Sequence, residues 1–175
     1  MIIDLSFLPE SELRKEAFDN PVAFGRENKQ RISGLLDIAD LNLLSFDQAR
    51  GGIEEALFSV DPWKKYWGLI VCSSFGKEAA DFYKTARILT KDENLLVRTR
   101  AAEFLAVTGT EDPKEIITGV FREINDHMEA TLVLNTVVLL MDGPYKYEFD
   151  ISEDLFLPEV LEDQNVKRRL GCSLI

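Results

Sequence analysis

Apolar residues recur at three- and four-residue steps along most of this chain. That spacing puts them on one side of a helix, and no alternating apolar–polar run is long enough for a sheet. Three helix-length blocks stand out: DPWKKYWGLIVCSSFG (61–76), NLLVRTRAAEFLAVTG (94–109) and HMEATLVLNTVVLLMDG (127–143). They end at Gly76, Gly109 and Gly143, which stand 33 and 34 residues apart. Glycine suits a left-handed helix cap because it has no Cβ to oppose a positive φ. Alignment on the glycines equates Leu69, Val71 and Cys72 with Ala102, Phe104 and Leu105, and then with Thr136, Val138 and Leu139.

Second helices are predicted between the glycines. Residues 77–90 carry Ala80, Phe82, Tyr83, Ala86 and Leu89, and residues 113–125 carry Ile116, Ile117, Val120, Phe121 and Ile124. Asp112-Pro113-Lys114-Glu115 offers an N-cap, an N1 proline and an N3 glutamate. Asp61-Pro62 repeats the first part of that signal, and Ser45-Phe46-Asp47-Gln48 is a second capping box. Upstream, residues 26–41 have Ile32, Leu35, Leu36 and Ala39 on one stripe. Residues 46–59 follow with Ala49, Ile53, Ala56 and Leu57, weakened by Gly51-Gly52.

Helix pairs at this period predict an all-α fold, an α–α superhelix in which each pair buries its apolar face against the next. Residues 26–143 form the repeats. Residues 1–25 read as a linker-like N-terminal cap and 144–175 as a C-terminal capping segment. Pro144 stops the third repeat helix, residues 152–170 suit one or two short helices, and 147–149 suggest a brief extended piece.

Composition narrows the function classes. A chain of 175 residues, 46% hydrophobic and 29% charged, can bury a substantial core. Its longest apolar run, 131–141, is too short to span a bilayer. The N-terminus has no basic segment followed by an apolar stretch, so no secretion signal is expected in these residues. A net charge of −11 argues against nucleic acid as a partner. The basic clusters Lys64-Lys65 and Lys167-Arg168-Arg169 read as solvated faces. Cys72 and Cys172 match no zinc spacing, and Cys72 lies on an apolar helix as a small buried hydrophobe.

Asp92, Val97-Arg98, Ala101-Ala102, Phe104-Leu105 and Gly109 together resemble a HEAT-like repeat. A narrower likeness comes from Asp4-Leu5-Ser6-Phe7-Leu8-Pro9-Glu10, the helix at 32–41, Lys65-Tyr66-Trp67-Gly68-Leu69 and Val166-Lys167-Arg168-Arg169-Leu170. These stretches resemble the C-terminal region of bacterial sulfatases of the N-sulfoglucosamine sulfohydrolase (heparan N-sulfatase-like) kind. The resemblance covers most of this chain but only the auxiliary part of such an enzyme. It implies a non-catalytic accessory domain that supports a sulfatase catalytic domain or helps handle sulfated glycan. The compartment would then be periplasmic or extracellular. HEAT-like repeats also occur in unrelated proteins, so a stand-alone, cytoplasmic protein-interaction scaffold is the alternative.

The chemistry of the chain fits that reading. A sulfatase needs a Cys or Ser matured to formylglycine within Cys/Ser-x-Pro-x-Arg, together with an oxygen-liganded calcium ion. Cys72-Ser73-Ser74-Phe75-Gly76 lacks both the proline and the arginine. Asp37 and Asp40 read as a solvated acidic stripe, and His127, the only histidine, as an exposed turn residue. No catalytic, cofactor or metal residue is therefore assigned. The candidate contact surface is Trp63, Lys64, Lys65, Tyr66 and Trp67. Its aromatics fall at i, i+3 and i+4, the spacing for packing against a neighbouring repeat or a second domain, although sugar stacking with lysine–sulfate contact is conceivable. Phe7, Leu8, Phe24, Phe156 and Leu157 are further apolar residues near the ends that a second domain would cover. In the central block, Ala101 and Ala102 allow close helix approach, Arg98 is expected at the inter-repeat seam near Asp92, and Arg100 is expected to face solvent.

Overall fold

A computed structural model describes residues 15–17, 19–142 and 144–173. The described residues form helices joined by short turns and contain no strand, so the fold is all-α. The α-helices are α1 (Pro21–Glu27), α2 (Lys29–Ala39), α3 (Phe46–Leu57), α4 (Pro62–Phe75), α5 (Tyr83–Leu89), α6 (Leu95–Val107), α7 (Lys114–Phe121), α8 (His127–Asp142), α9 (Pro158–Leu161) and α10 (Gln164–Ser173). Short 3-10 turns cover Asp40–Leu43, Gly76–Phe82 and Glu153–Leu155.

Packing sorts these elements into two rows. In one, α2 lies on α4, α4 on α6, α6 on α8 and α8 on α10. The other row holds α3, α5 and α7: α3 packs on α4, while α5 and α7 pack on α6. Central α6 is buried almost all round, flanked by α4, α5, α7 and α8. Its residues 96, 97, 99 and 101–106 are all buried. One continuous core runs from Ile38 to Leu170, and Phe121 meets Phe156 edge-on at 5.3 Å, so the C-terminal segment closes the stack. A smaller cluster of Ala17, Phe24, Leu35 and Trp63 sits at the other end.

Local chemistry explains the helix ends. Asp61 accepts from the Trp63 N–H at 2.9 Å with Pro62 at N1. Asn94 accepts from the Leu96 and Val97 N–H groups. Gln48 Oε1 reaches back to the Ser45 N–H at 3.2 Å, completing its capping box. Gly76 and Gly109 have φ of 58° and 70°, a region costly for other residues. At Gly109 the Thr110 N–H reaches the Leu105 carbonyl and the Gly109 N–H reaches that of Ala106, the Schellman arrangement. Gly143 lies outside the described residues.

Three expectations about the helices need correction. Residues 26–41 are not one helix: α1 ends at Asn28, and α2 gives way to a 3-10 turn at Asp40. Within α2, Ile38 is buried and Leu36 is 57% exposed. Residues 77–90 begin as a 3-10 turn that is non-helical at Ala79, which buries Ala79 and leaves Ala80 exposed. The third repeat keeps Thr136 inside but not the equivalents of Phe104 and Leu105. Val137 and Leu140 are buried, Val138 is half-buried, and Leu139 is 45% exposed, because α8 also packs on α9 and α10.

Candidate functional site

The Lys65-Tyr66-Trp67-Gly68 stretch forms the second turn of α4, held against three neighbours. Trp63 and Tyr66 are buried, and Trp67, Lys64 and Lys65 are half-buried. Trp63 packs with Phe24 and Leu35, while Tyr66 joins the main core. Trp67 meets Tyr66 edge-on at 6.2 Å. A Cβ on Gly68 would come within 3.1 Å of Ala56 and 3.2 Å of Leu57, so the glycine lets α3 and α4 approach. The rings of Trp63 and Tyr66 are thus engaged within the chain. The linker-like residues Asp4 to Glu10, with Phe7 and Leu8, lie outside the described residues. Phe24 and Phe156 are buried, and Leu157 is 47% exposed.

Asp92 forms a polar junction between α4 and α6. Its Oδ2 receives the Lys65 ammonium at 2.7 Å, its Oδ1 the Asn94 N–H at 3.0 Å, and its backbone carbonyl the Arg98 guanidinium at 3.2 Å. Arg98 also donates to Glu123 at 2.6 Å, from the start of α6 to the turn after α7. Arg98 therefore meets Asp92 through the main chain, because Lys65 holds the carboxylate. Ala101 and Ala102 are buried in the same helix.

Arg100 corrects the expectation that it faces solvent. Its guanidinium lies 5.0 Å from the Tyr66 ring centroid, donates to the Tyr66 hydroxyl at 2.9 Å, and donates to Glu103 at 2.5 Å. The Thr136 hydroxyl donates to the same Glu103 oxygen at 2.7 Å. One polar knot thus links α4, α6 and α8. Burial alone would lower the Arg100 pKa, but the Glu103 carboxylate and the Tyr66 hydroxyl outweigh it and hold it above the usual arginine range. The local sequence signal was limited to the i, i+3 pair Arg100 and Glu103; Tyr66 and Thr136 lie 34 and 36 residues away.

The nucleophile and metal candidates are placed as follows. Cys72 is buried in α4, and burial pushes its thiol up to about 12, leaving it protonated and unreactive near neutrality. Asp37 and Asp40 are exposed, as is His127 at the start of α8. Among the described residues no group of three or more His, Cys, Asp or Glu is arranged to hold a metal ion. No helix among them is long and apolar enough to cross a membrane.

The open features of the surface are elsewhere. A groove of about 280 Å³ lies between α2, α3 and the start of α4, lined by Gly34, Asp37, Ile38, Leu41, Glu55 and Lys64, among others. Val60 is 97% exposed and Phe58 68%, both in the turn after α3; Ile88, in the last turn of α5, is 72% exposed. Comparison of the chain with protein-family models, with curated proteins and with solved structures gives no match.

Proposed function

We propose that this chain is a non-catalytic, HEAT-like helical repeat domain that works by docking onto another folded domain. Its preferred setting is the accessory region of a sulfatase-type hydrolase. The reading is supported most by the apolar residues Phe58, Val60 and Ile88, which stand exposed at the ends of α3 and α5 instead of joining the core. Further support comes from the Lys65-Tyr66-Trp67-Gly68 signature, which joins repeats through Asp92, Arg100 and the α3 contact. In this reading, help with sulfated glycan comes from positioning the catalytic domain, since the Trp63 and Tyr66 rings are occupied.

Two measurements test the proposal. A sulfatase catalytic region should be encoded in frame upstream of Met1 or in an adjacent gene. If neither carries one, the sulfatase setting is refuted. The purified chain should also leave an aryl sulfate unhydrolysed, and turnover that survives repurification would refute the non-catalytic role. The second reading is a stand-alone scaffold, favoured by the groove between α2, α3 and α4, which a purely supporting domain does not require.

A further inference from the structure

We propose that the groove between α2, α3 and α4 receives an extended peptide segment of a partner, with a basic side chain at its inner end and an acidic one at its outer end. The inner end has an apolar floor of Ile38, Leu41 and Ala56 and carries two carboxylates, Asp37 and Glu55. The outer end continues along α2 past Gly34 to Lys29 and on to Arg26 and Glu27 of α1, with Asp37 and Lys64 lining both parts. None of Asp37, Glu55 and Lys64 is engaged by another side chain among the described residues. Two carboxylates and one cation line the inner end and three cations and two carboxylates the outer, so the groove is net acidic inside and net basic outside.

Its length fits a short stretch of chain. From Lys29 to Asp37 is eight helical steps, about 12 Å at ~1.5 Å per residue. An extended peptide covers that in about four residues at ~3.3 Å each. A Lys or Arg three residues from an Asp or Glu would thus reach both ends. The chain's net charge of −11 draws basic segments toward it at long range.

Gly34 supplies the room. It sits inside α2, where glycine is less favourable than alanine, yet a Cβ built there meets nothing within 4 Å. Any side chain at this position projects into the groove without disturbing the packing, which makes Gly34→Gln a clean block.

The test is an amide NMR titration of the whole chain with the amidated, N-acetylated peptide Gly-Leu-Arg-Ala-Leu-Asp-Gly. The expected result is saturable shifts at Gly34, Gly52 and Lys64. In Gly34→Gln, whose thermal midpoint should not fall, those shifts should vanish. In Asp37→Asn/Glu55→Gln, binding should weaken at least tenfold. A peptide with Gln in place of Arg should lose most of its affinity. Equal binding by Gly34→Gln, equal binding by the Gln peptide, or no localised shifts would each overturn the proposal. Docking through Phe58, Val60 and Ile88 does not depend on the outcome.

Discussion

One turn of α4 serves two opposite environments. Tyr66 points into the knot with Arg100, Glu103 and Thr136, where every charge has a partner and little water enters. Lys64, two residues earlier, lines an open groove beside Asp37 and Glu55. The same residue types, a cation and carboxylates, are structural in one place and available in the other. Burial, not charge, makes the difference. A charge removed from water must be paired, so its partner becomes part of the fold, whereas a charge left in water is free for a ligand.

The largest test of that contrast is Glu103→Ala. It strands the Arg100 guanidinium beside Tyr66 and should cost about 3–5 kcal/mol, read as the shift of a urea midpoint. Arg100→Met/Glu103→Met, which removes both charges, should recover most of that loss. A cost below about 1 kcal/mol for Glu103→Ala would mean that the knot behaves as a surface pair, and the contrast would fail. Asp92→Ala comes next. It removes the acceptor of a half-buried lysine and of the Asn94 N–H, and should cost about 2 kcal/mol by the same measurement.

How much of this could be read beforehand varies with the range of the interaction. Helix starts at Asp61 and Ser45 were legible because each signal lies within three residues of its effect. Gly76 and Gly109 were legible because a positive φ leaves few other choices. The 3-10 stretch at Gly76–Phe82 was not, since Ala79, Phe82 and Ala86 fit a helical stripe nearly as well as Ala80, Tyr83 and Ala86. The direction of Arg100 was hidden for a different reason. Alone, an arginine on a helix is best left in water, and only Tyr66, 34 residues earlier, and Thr136, 36 residues later, change that balance. The groove was hidden too, because it depends on how α2 and α3 sit over Gly34 and Gly52, not on a motif.

Cys72 provides a pH-dependent test of how dry the α4 core is. Its thiol is raised by burial from 9.0 to about 12. Below about pH 9 it is protonated in both states, and its contribution is fully present. Between pH 9 and 12 the unfolded chain releases the proton first, so stability falls as pH rises, by about 1.4 kcal/mol per unit. Urea midpoints at pH 8, 9, 10 and 10.5 should show a steeper decline for the parent than for Cys72→Ala. Identical slopes would mean that water reaches the α4 core, which would remove one side of the contrast.

The smallest expected effect is the most telling for the open side. Lys64→Ala removes a cation from the groove without stranding a buried group, so its stability change should stay within about 0.5 kcal/mol. Lys65→Ala, one position along, loses the 2.7 Å tie to Asp92 and should cost more, about 1–2 kcal/mol, because Asp92 is only 11% exposed. The two lysines are adjacent, share a helix and differ only in where the helix turn points them. Comparing their urea midpoints cancels charge number and helix propensity, leaving the environment as the variable. Equal costs would mean that Lys64 also holds the fold together, and the groove would then be part of the packing instead of a surface left for a partner.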